Sequence, residues 1–245
     1  MKILVMKFGG TSVVDEAGRM AMIRHVIREV EAGFKVVVVV SAMGRLGSPY
    51  ATDTLSSLVS TSVLPKESDR LLSCGEVISS IVTSDLARRK GLNVTSLAPI
   101  EIGIITDGNY TDANILRMDT AHLIKKFETY DVLIAPGFMG VSKEGFITTL
   151  GRGGSDTSAV ALGASLNADH VDVYSDVPGV MTADPKVDPD AVLIPEMSYD
   201  ALIRMAEGGA RVIHLKAIKL AKAHRINLRL RSTFREDVGT TVGER

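Results

Sequence analysis

Short runs of β-branched residues alternate along this chain with longer amphipathic stretches, and this alternation limits the fold more than any other feature. The first strand-like runs cover 3–6 and 34–40, and the first helical patterns cover 16–32 and 67–89. Further strands are predicted at 93–97, 102–106, 132–135, 171–175 and 226–231, and further helices at 155–166, 199–206 and 215–224. Such alternation is typical of parallel βαβ units. We therefore expect an α/β fold, a three-layer αβα sandwich whose largely parallel central sheet is covered on both faces.

Composition narrows the class of protein. The 245 residues carry a formal net charge of −1, with 45% hydrophobic and 23% charged residues, so neither a nucleic-acid-binding nor a membrane surface is indicated. The longest apolar run, 36–40, is far too short to span a bilayer, and we expect a cytoplasmic protein. Cys74 is the only cysteine, which excludes an intrachain disulfide and a thiolate metal cluster. We expect Cys74 to be a small buried residue.

Two glycine-rich tracts stand at predicted strand-to-helix junctions and suit phosphate oxygens. The first tract, 7–13, continues directly from the strand at 3–6. Gly9 and Gly10 are therefore expected at the carboxyl edge of the sheet, where ligands of open α/β sheets bind. Lys7 belongs to the same edge, and its ammonium could neutralise charge on a transferring phosphoryl group. A solvated lysine at a strand end is the alternative.

The second tract, 151–158, reads Gly-Arg-Gly-Gly-Ser-Asp-Thr-Ser and fits neither of the two common nucleotide motifs. Because Asp156 stands where G-x-G-x-x-G needs its last glycine, a dinucleotide-binding dehydrogenase is disfavoured, and the P-loop pattern of a kinase is missing from the sequence. The tract predicts a helix start with Ser155, Asp156 or Thr157 available as N-cap, and capping alone would explain the aspartate. Arg152 suits a substrate carboxylate, since a guanidinium fork matches two carboxylate oxygens.

A third segment, 175–186, follows the strand at 171–175 and is rich in turn residues. We expect another loop at the carboxyl edge of the sheet. There Asp176 and Asp184 could bind ribose hydroxyls or lie near a metal-bound phosphate, and Lys186 could meet phosphate oxygens. Plain turn formation explains much of the segment without any ligand.

Two further features are candidates for substrate contacts. Glu76 lies in a mostly apolar helical pattern, where a buried carboxylate needs a partner such as a substrate ammonium; a solvated helix face is the alternative. The irregular stretch 43–53 is typical of a substrate-binding segment or lid, or else of a plain surface loop. The five histidines lack metal-ligand spacing, and the Gly-x-Ser-x-Gly elbow of many hydrolases is missing, so hydrolase and zinc chemistries have no support.

Taken together, these segments resemble the aspartokinase branch of the amino acid kinase family. The matching motifs follow the family's order from residue 1 to about residue 235, at 7–13, 40–43, 73–76, 137–140, 149–159, 175–179 and 182–185. The resemblance implies the amino acid kinase fold and ATP-dependent phosphorylation of the side-chain carboxylate of L-aspartate, with Mg²⁺. The products would be 4-phospho-L-aspartate and ADP, formed by direct in-line transfer in the biosynthesis of aspartate-family amino acids such as lysine and threonine.

The resemblance also implies roles for individual residues. Lys7 would stabilise the transferring phosphoryl group, and Asp156 would organise the basic groups around it. Arg152 and Glu76 would grip the α-carboxylate and the ammonium of aspartate. The other expected contacts are Ser41, Thr52 and Ser155 on the substrate, and Gly9, Gly10, Gly154, Ser175, Asp176, Met181, Asp184, Lys186 and Arg211 on the nucleotide.

The domain organisation follows from the same resemblance. We expect one catalytic domain over 1–245, with an amino-acid-binding lobe at 1–168 and a nucleotide-binding lobe at 169–245. Aspartokinases usually continue beyond a segment like 239–242 into two ACT domains that bind lysine or threonine, so we expect no ACT domain and no feedback inhibition by the chain itself. A homodimer is implied, and a separate regulatory subunit is a further possibility.

Two alternatives to aspartate phosphorylation stay open. One is an amino acid kinase for a different acidic amino acid, since Arg152 and Glu76 recognise only the amino-acid head group. The other is a non-catalytic partner subunit that binds nucleotide or aspartate. This second alternative draws on three departures from the family pattern, Met181, Arg211 and Leu215, where family members usually have Tyr, Lys and Pro.

Overall fold

The computed structural model describes residues 1–183, 187–188, 190–210 and 212–244, and it contains two sheets. Their strands are β1 (Lys2–Phe8), β2 (Phe34–Val40), β3 (Val94–Ser96), β4 (Ile104–Thr106), β5 (Ile115–Met118), β6 (Val132–Pro136), β7 (Met139–Ser142), β8 (Ile147–Thr149), β9 (Val171–Ser175), β10 (Glu196–Ser198), β11 (Leu228–Ser232) and β12 (Thr240–Gly243). The larger sheet has the order β10-β12-β11-β9-β1-β2-β6-β3, and the smaller one has the order β5-β4-β7-β8. In the larger sheet, only β10 and β12 run against the other six strands.

Helices cover both faces of the larger sheet. They are α1 (Gly10–Val13), α2 (Glu16–Glu31), α3 (Thr52–Ser56), α4 (Pro65–Arg89), α5 (Ala121–Lys126), α6 (Gly154–Ser165), α7 (Tyr199–Glu207) and α8 (Leu215–His224). Local chemistry sets several of their ends. The Asp15 carboxylate accepts a hydrogen bond from the Gly18 amide at 2.7 Å and caps α2, while Pro65 stands in the first turn of α4, where its missing N–H costs nothing.

The two layers of core follow from the alternation of side chains along the strands. In β1, Ile3 and Val5 face one layer, which includes apolar residues of α6, α7 and α8. Leu4 and Met6 face the other layer, which includes apolar residues of α2 and α4. Each of these four side chains is buried, and burying one stabilises the fold by about 1.5–3 kcal/mol. Because β1 is central and covered on both faces, its carboxyl end is held at a fixed place.

The structure confirms the expected three-layer α/β fold and the predicted long strands and helices. Several short elements were missed, namely β5, β7, β8, β10, β12, α3 and α5. Two local expectations were wrong. Cys74 is exposed, because it lies on the outer side of α4. The N-cap of α6 is Gly153, in the left-handed conformation, so the cap is not Ser155, Asp156 or Thr157.

The division into lobes at residue 168 stays a prediction, since the larger sheet runs continuously through strands from both parts of the chain. Within the described part of the chain, none of the helices has both the length and the apolar character that crossing a membrane would require.

Candidate active site

The centre of the site is built at the carboxyl ends of β1 and β9, which are neighbours in the larger sheet. Lys7 pairs with Val173 and Phe8 with Tyr174 in the parallel register. Immediately after β1 the chain turns into the glycine loop, and Gly10 lies so close to the next loop that a β-carbon would stand 2.7 Å from the Ala42 carbonyl oxygen. Only glycine allows this approach, so the loop keeps its backbone open at the sheet edge.

Lys7 and Asp156 form an ion pair across this edge. The Lys7 Nζ atom lies 2.7 Å from the Asp156 Oδ1 atom, and each side chain is 13% exposed. The other carboxylate oxygen, Oδ2, accepts a hydrogen bond from the His214 amide at 3.1 Å. Asp156 therefore joins the start of α6 to the residue before α8 and holds the lysine ammonium at the edge of the sheet.

Two clefts meet at this ion pair, because both are lined by Lys7, Arg152, Gly153 and Asp156. The larger has a volume of about 760 Å³, and the smaller has a volume of about 430 Å³. Arg152 is exposed at their boundary. A group bound in one cleft can thus face a group bound in the other across the lysine ammonium.

The larger cleft contains four of the nine residues expected on the nucleotide side. Gly9, Gly10, Ser175 and Asp176 line it. Glycine backbone and the start of a helix, where amide hydrogens point outward, favour bound anions. Gly154, the first residue of α6, was also expected on the nucleotide side, but it lines the smaller cleft.

Other expected nucleotide contacts are not brought to the larger cleft. Met181 forms an isolated β-bridge with Leu193 and is not among the described residues that line either cleft. Asp184, Lys186 and Arg211 lie outside the described residues. Leu215, where the family usually has Pro, is the first residue of α8 and lines the larger cleft.

The smaller cleft contains every residue expected on the amino-acid side. They are Ser41, Thr52, Glu76, Arg152 and Ser155. The stretch predicted as irregular at 43–53 ends in α3, whose first two residues, Thr52 and Asp53, both line this cleft. The segment therefore contributes to the site wall.

Glu76 is the most unusual group of the smaller cleft. Its side chain is 2% exposed, and its Oε1 atom accepts a hydrogen bond from the Ala42 amide at 3.1 Å. Within the described part of the chain, its Oε2 atom has no hydrogen-bond partner. Burial raises the pKa of this carboxyl to about 8. A buried carboxylate oxygen without a partner is suited to a cationic ligand, such as an ammonium group.

Sequence reasoning missed several residues of the smaller cleft, among them Leu72, Thr111, Phe138 and Thr149. Two of these have left-handed backbone conformations, with φ of 72° at Thr111 and 73° at Phe138. Such values are uncommon outside glycine and are concentrated at functional sites. No local sequence signal predicts these two backbone conformations, because they are imposed by the surrounding structure.

In the part of the chain that the structure describes, the site contains few side chains that could hold a divalent cation directly. The described residues contain no cluster of three or more His, Cys, Asp or Glu side chains arranged to hold a metal. Mg²⁺ usually keeps several waters and binds through one or two carboxylates together with substrate phosphates. Asp176 is an exposed carboxylate of the larger cleft, so the donor set fits a cation that arrives with a polyphosphate.

Comparison with known proteins places these features in a family. Residues 2–232 match the model of the amino acid kinase family. Aspartokinase 1 of Bacillus subtilis (strain 168) is 44% identical over 245 residues, which cover 99% of this chain and 61% of that protein. The aspartokinase of Geobacillus stearothermophilus is 42% identical over 251 residues, which cover all of this chain and 60% of that protein.

The fold comparison agrees with these matches. The crystal structure of aspartate kinase from Synechocystis superposes with a TM-score of 0.86 at 36% identity, covering 99% of this chain and 40% of that one. The chain thus spans about 60% of the length of the two curated relatives.

Proposed function

The chain belongs to the amino acid kinase family, and on that premise we propose that it transfers the γ-phosphoryl group of ATP to the side-chain carboxylate of L-aspartate. The Lys7–Asp156 ion pair at the junction of two clefts is the observation that carries the proposal. Phosphoryl transfer depends on holding donor and acceptor in line while fixed cations stabilise the charge between them. A lysine ammonium between a glycine-lined cleft and an amino-acid-sized one supplies that arrangement.

The larger cleft would hold the nucleotide. Its glycine loop at Gly9 and Gly10 offers backbone donors to phosphate oxygens, and Ser175 and Asp176 at the end of β9 offer polar contacts. Mg²⁺ bound with the nucleotide would neutralise phosphate charge. In this arrangement the terminal phosphate points toward Lys7.

The smaller cleft would hold L-aspartate by its head group. Glu76 would accept the ammonium at its partnerless oxygen, and Arg152 would receive the α-carboxylate in a bidentate contact. The side-chain carboxylate would then face Lys7 at the boundary between the clefts. Ser41, Thr52 and Ser155 would offer hydroxyl groups to the same ligand.

The reaction needs little proton chemistry. A side-chain oxygen of aspartate attacks the γ-phosphorus, the bond from that phosphorus to the bridging oxygen breaks, and the electron pair leaves with ADP. Because the attacking carboxylate is already ionised at neutral pH, no general base is required. Lys7 would stabilise the charge on the transferring group, while Asp156 would fix the position of the ammonium rather than take a proton.

The test is ADP release by the purified 245-residue chain supplied with Mg²⁺-ATP and L-aspartate, with hydroxylamine added to trap the acyl phosphate as a hydroxamate. We expect hydroxamate formation that depends on L-aspartate, with and without added lysine and threonine. Folded protein that binds ATP but forms no hydroxamate would contradict the proposal.

A second candidate function is phosphorylation of a different acidic amino acid. The observation that favours it is that Glu76 and Arg152, the charged residues assigned to the head group, line the smaller cleft and would contact only groups shared by all α-amino acids. The same assay with L-glutamate and other acidic amino acids in place of L-aspartate distinguishes the two, since the true substrate will have the highest kcat/KM. We also propose that the protein is cytoplasmic, that it forms a homodimer, and that it divides into two lobes at residue 168.

A further inference from the structure

Asp69, on helix α4, is a fully buried carboxylate outside the two clefts. Its partners are uncharged: the Thr111 amide donates to its two oxygens at 3.1 and 3.0 Å, and Thr149 donates through its amide and its hydroxyl, each at 2.8 Å. A buried charge is costly unless it is fully hydrogen-bonded. Asp69 therefore acts as a firm attachment point for the two segments that donate to it.

Both of these segments line the smaller cleft. Thr111 and Thr149 are themselves lining residues, and the Ala113 amide donates to the Thr149 carbonyl at 2.9 Å, which joins the segments to each other. Thr149 ends β8 and comes three residues before Arg152. The attachment at Asp69 thus fixes the base of the loop that carries the guanidinium group.

The same helix carries Glu76. Asp69 and Glu76 are seven residues apart in α4, which is close to two helical turns, so they lie on one face about 10 Å apart along the axis. One rigid helix therefore both holds Glu76 directly and anchors the loop of Arg152 through Asp69. The distance between Glu76 and Arg152 matters because, in the proposed function, Glu76 binds the ammonium of the amino acid and Arg152 binds its α-carboxylate.

The backbone of Thr111 is held in a conformation that its own residue type disfavours. Its φ of 72° is left-handed, a conformation that is unfavourable for a β-branched residue. Such a conformation persists only where surrounding contacts hold it. The two hydrogen bonds from the Thr111 amide to Asp69 are contacts of that kind.

We propose that Asp69 is a positioning residue for amino-acid recognition, which sets the distance between Arg152 and Glu76 by tying both cleft-lining segments to α4. The inference rests on the proposed function. It predicts an effect on the amino-acid side of the reaction that a purely structural residue would not have.

The experiment compares the Asp69→Asn variant with wild type in the hydroxamate assay. Because asparagine keeps the shape but replaces an accepting oxygen with a donor, the KM for L-aspartate is expected to rise roughly ten- to a hundredfold, as small misplacements of binding groups do. The KM for ATP is expected to stay within about twofold. The matched control is Asp85→Asn, on the exposed side of the same helix, where the carboxylate pairs only with Arg89 and neither KM should change.

A second variant links the effect to Thr111. Glycine adopts a left-handed φ without penalty, so Thr111→Gly lowers the need for the anchoring contact. In the Asp69→Asn background this change should recover part of the lost affinity for L-aspartate, giving a non-additive double-mutant cycle. If Asp69→Asn fails to fold, Thr149→Val, which removes only the hydroxyl contact, should raise the KM for L-aspartate by a smaller factor.

The outcomes distinguish the proposed function from the positioning role of Asp69. A wild-type chain that forms no hydroxamate overturns the proposed function and this inference with it. An active wild type beside folded variants with lowered melting temperature but unchanged KM for L-aspartate overturns the positioning role alone, and so does strict additivity in the cycle.

Discussion

Lys7 and Asp156 stand 149 positions apart in the sequence and yet form the ion pair on which the site is centred. Both side chains are largely shielded from water, so their attraction is stronger than that of a surface pair. The Asp156 carboxylate also accepts a hydrogen bond from the His214 amide. This second contact fixes the position of the carboxylate beside the lysine. The pair therefore holds the Lys7 Nζ atom in a defined position before any ligand arrives.

Replacing Lys7 tests this role directly. Lys7→Ala should lower kcat by roughly 10²–10³, the loss that follows removal of one group stabilising transition-state charge. The variant should still fold, with a lower melting temperature, because Asp156 loses its ion-pair partner and keeps only the His214 amide. Steady-state hydroxamate assays give kcat, and Lys35→Ala is the control, since Lys35 pairs with Asp131 at the opposite end of the strands. Turnover within twofold of wild type would refute the assignment.

Glu76 should make the stability of the ligand-free protein depend on pH. Burial raises the pKa of its carboxyl from 4.5 to about 8, so between these values the unfolded chain gives up the proton and the folded chain keeps it. The stability linked to this group is complete below about pH 4.5 and is lost as the pH rises through 8. Glu76→Gln, which stays neutral, should match wild type near pH 4.5 and melt at a higher temperature at pH 9. A difference that stays constant from pH 5 to pH 9 would contradict this.

At the scale of elements, the sequence predicts the long strands and helices, because burial gives them a repeating pattern of apolar residues. The run 36–40 is all valine because this part of β2 is covered on both faces, and its pattern is visible without the structure. The strands β7 and β8 have only four and three residues, too few for a period to show. The glycine loops could be found because glycine itself is the signal. Thr111 and Asp69 could not, because their roles depend on contacts between distant segments.

The approach of α6 to α8 gives a prediction at this scale. Gly153 has φ of 74°, and a β-carbon there would overlap the His214 ring. Gly153→Ala should therefore push the two helix starts apart and lower kcat/KM by about tenfold or more, since the Lys7–Asp156 geometry depends on them. The measurement is kcat/KM for both substrates.

The matched control for that variant is Gly33→Ala. Gly33 follows α2 with φ of 88°, and a β-carbon there would meet nothing within 4 Å. It shares the left-handed strain, about 1–2 kcal/mol, but not the overlap. Equal kinetic effects of the two variants would show that strain alone is responsible and that the contact with His214 is irrelevant.

For the whole molecule, a buried charge cluster joins β9 to β11 behind the site. Asp172 is fully buried and accepts hydrogen bonds from Arg229 Nε at 2.6 Å and Arg231 Nη1 at 3.1 Å. Asp172 and Arg229 are also register partners in the sheet. The cluster therefore connects the strands on one side of β1 by more than backbone hydrogen bonds.

Removing the centre of that cluster should cost stability and leave amino-acid recognition intact. Asp172→Ala should lower the free energy of unfolding by about 3–5 kcal/mol, because the buried Arg231 and the partly buried Arg229 both lose the carboxylate that they share. Urea denaturation measures the loss, and the KM for L-aspartate should be unchanged since no residue of β9 or β11 lines the smaller cleft among the described residues. Asp131→Ala, at a half-exposed ion pair with Lys35, should have little effect. A loss below 1 kcal/mol would mean that the cluster is dispensable.

The central position of β1 also determines the order in which the protein can be completed during synthesis. The strand that carries Lys7 is synthesised before both of its neighbours and can pair with β2 soon afterwards, but its other neighbour, β9, begins only at Val171. At translation rates of about 5–20 residues per second, one edge of this buried central strand waits roughly 10–30 s for its partner. The nascent chain is therefore exposed to wrong pairing at that edge until β9 has been synthesised, and Lys7 acquires its surroundings only after that.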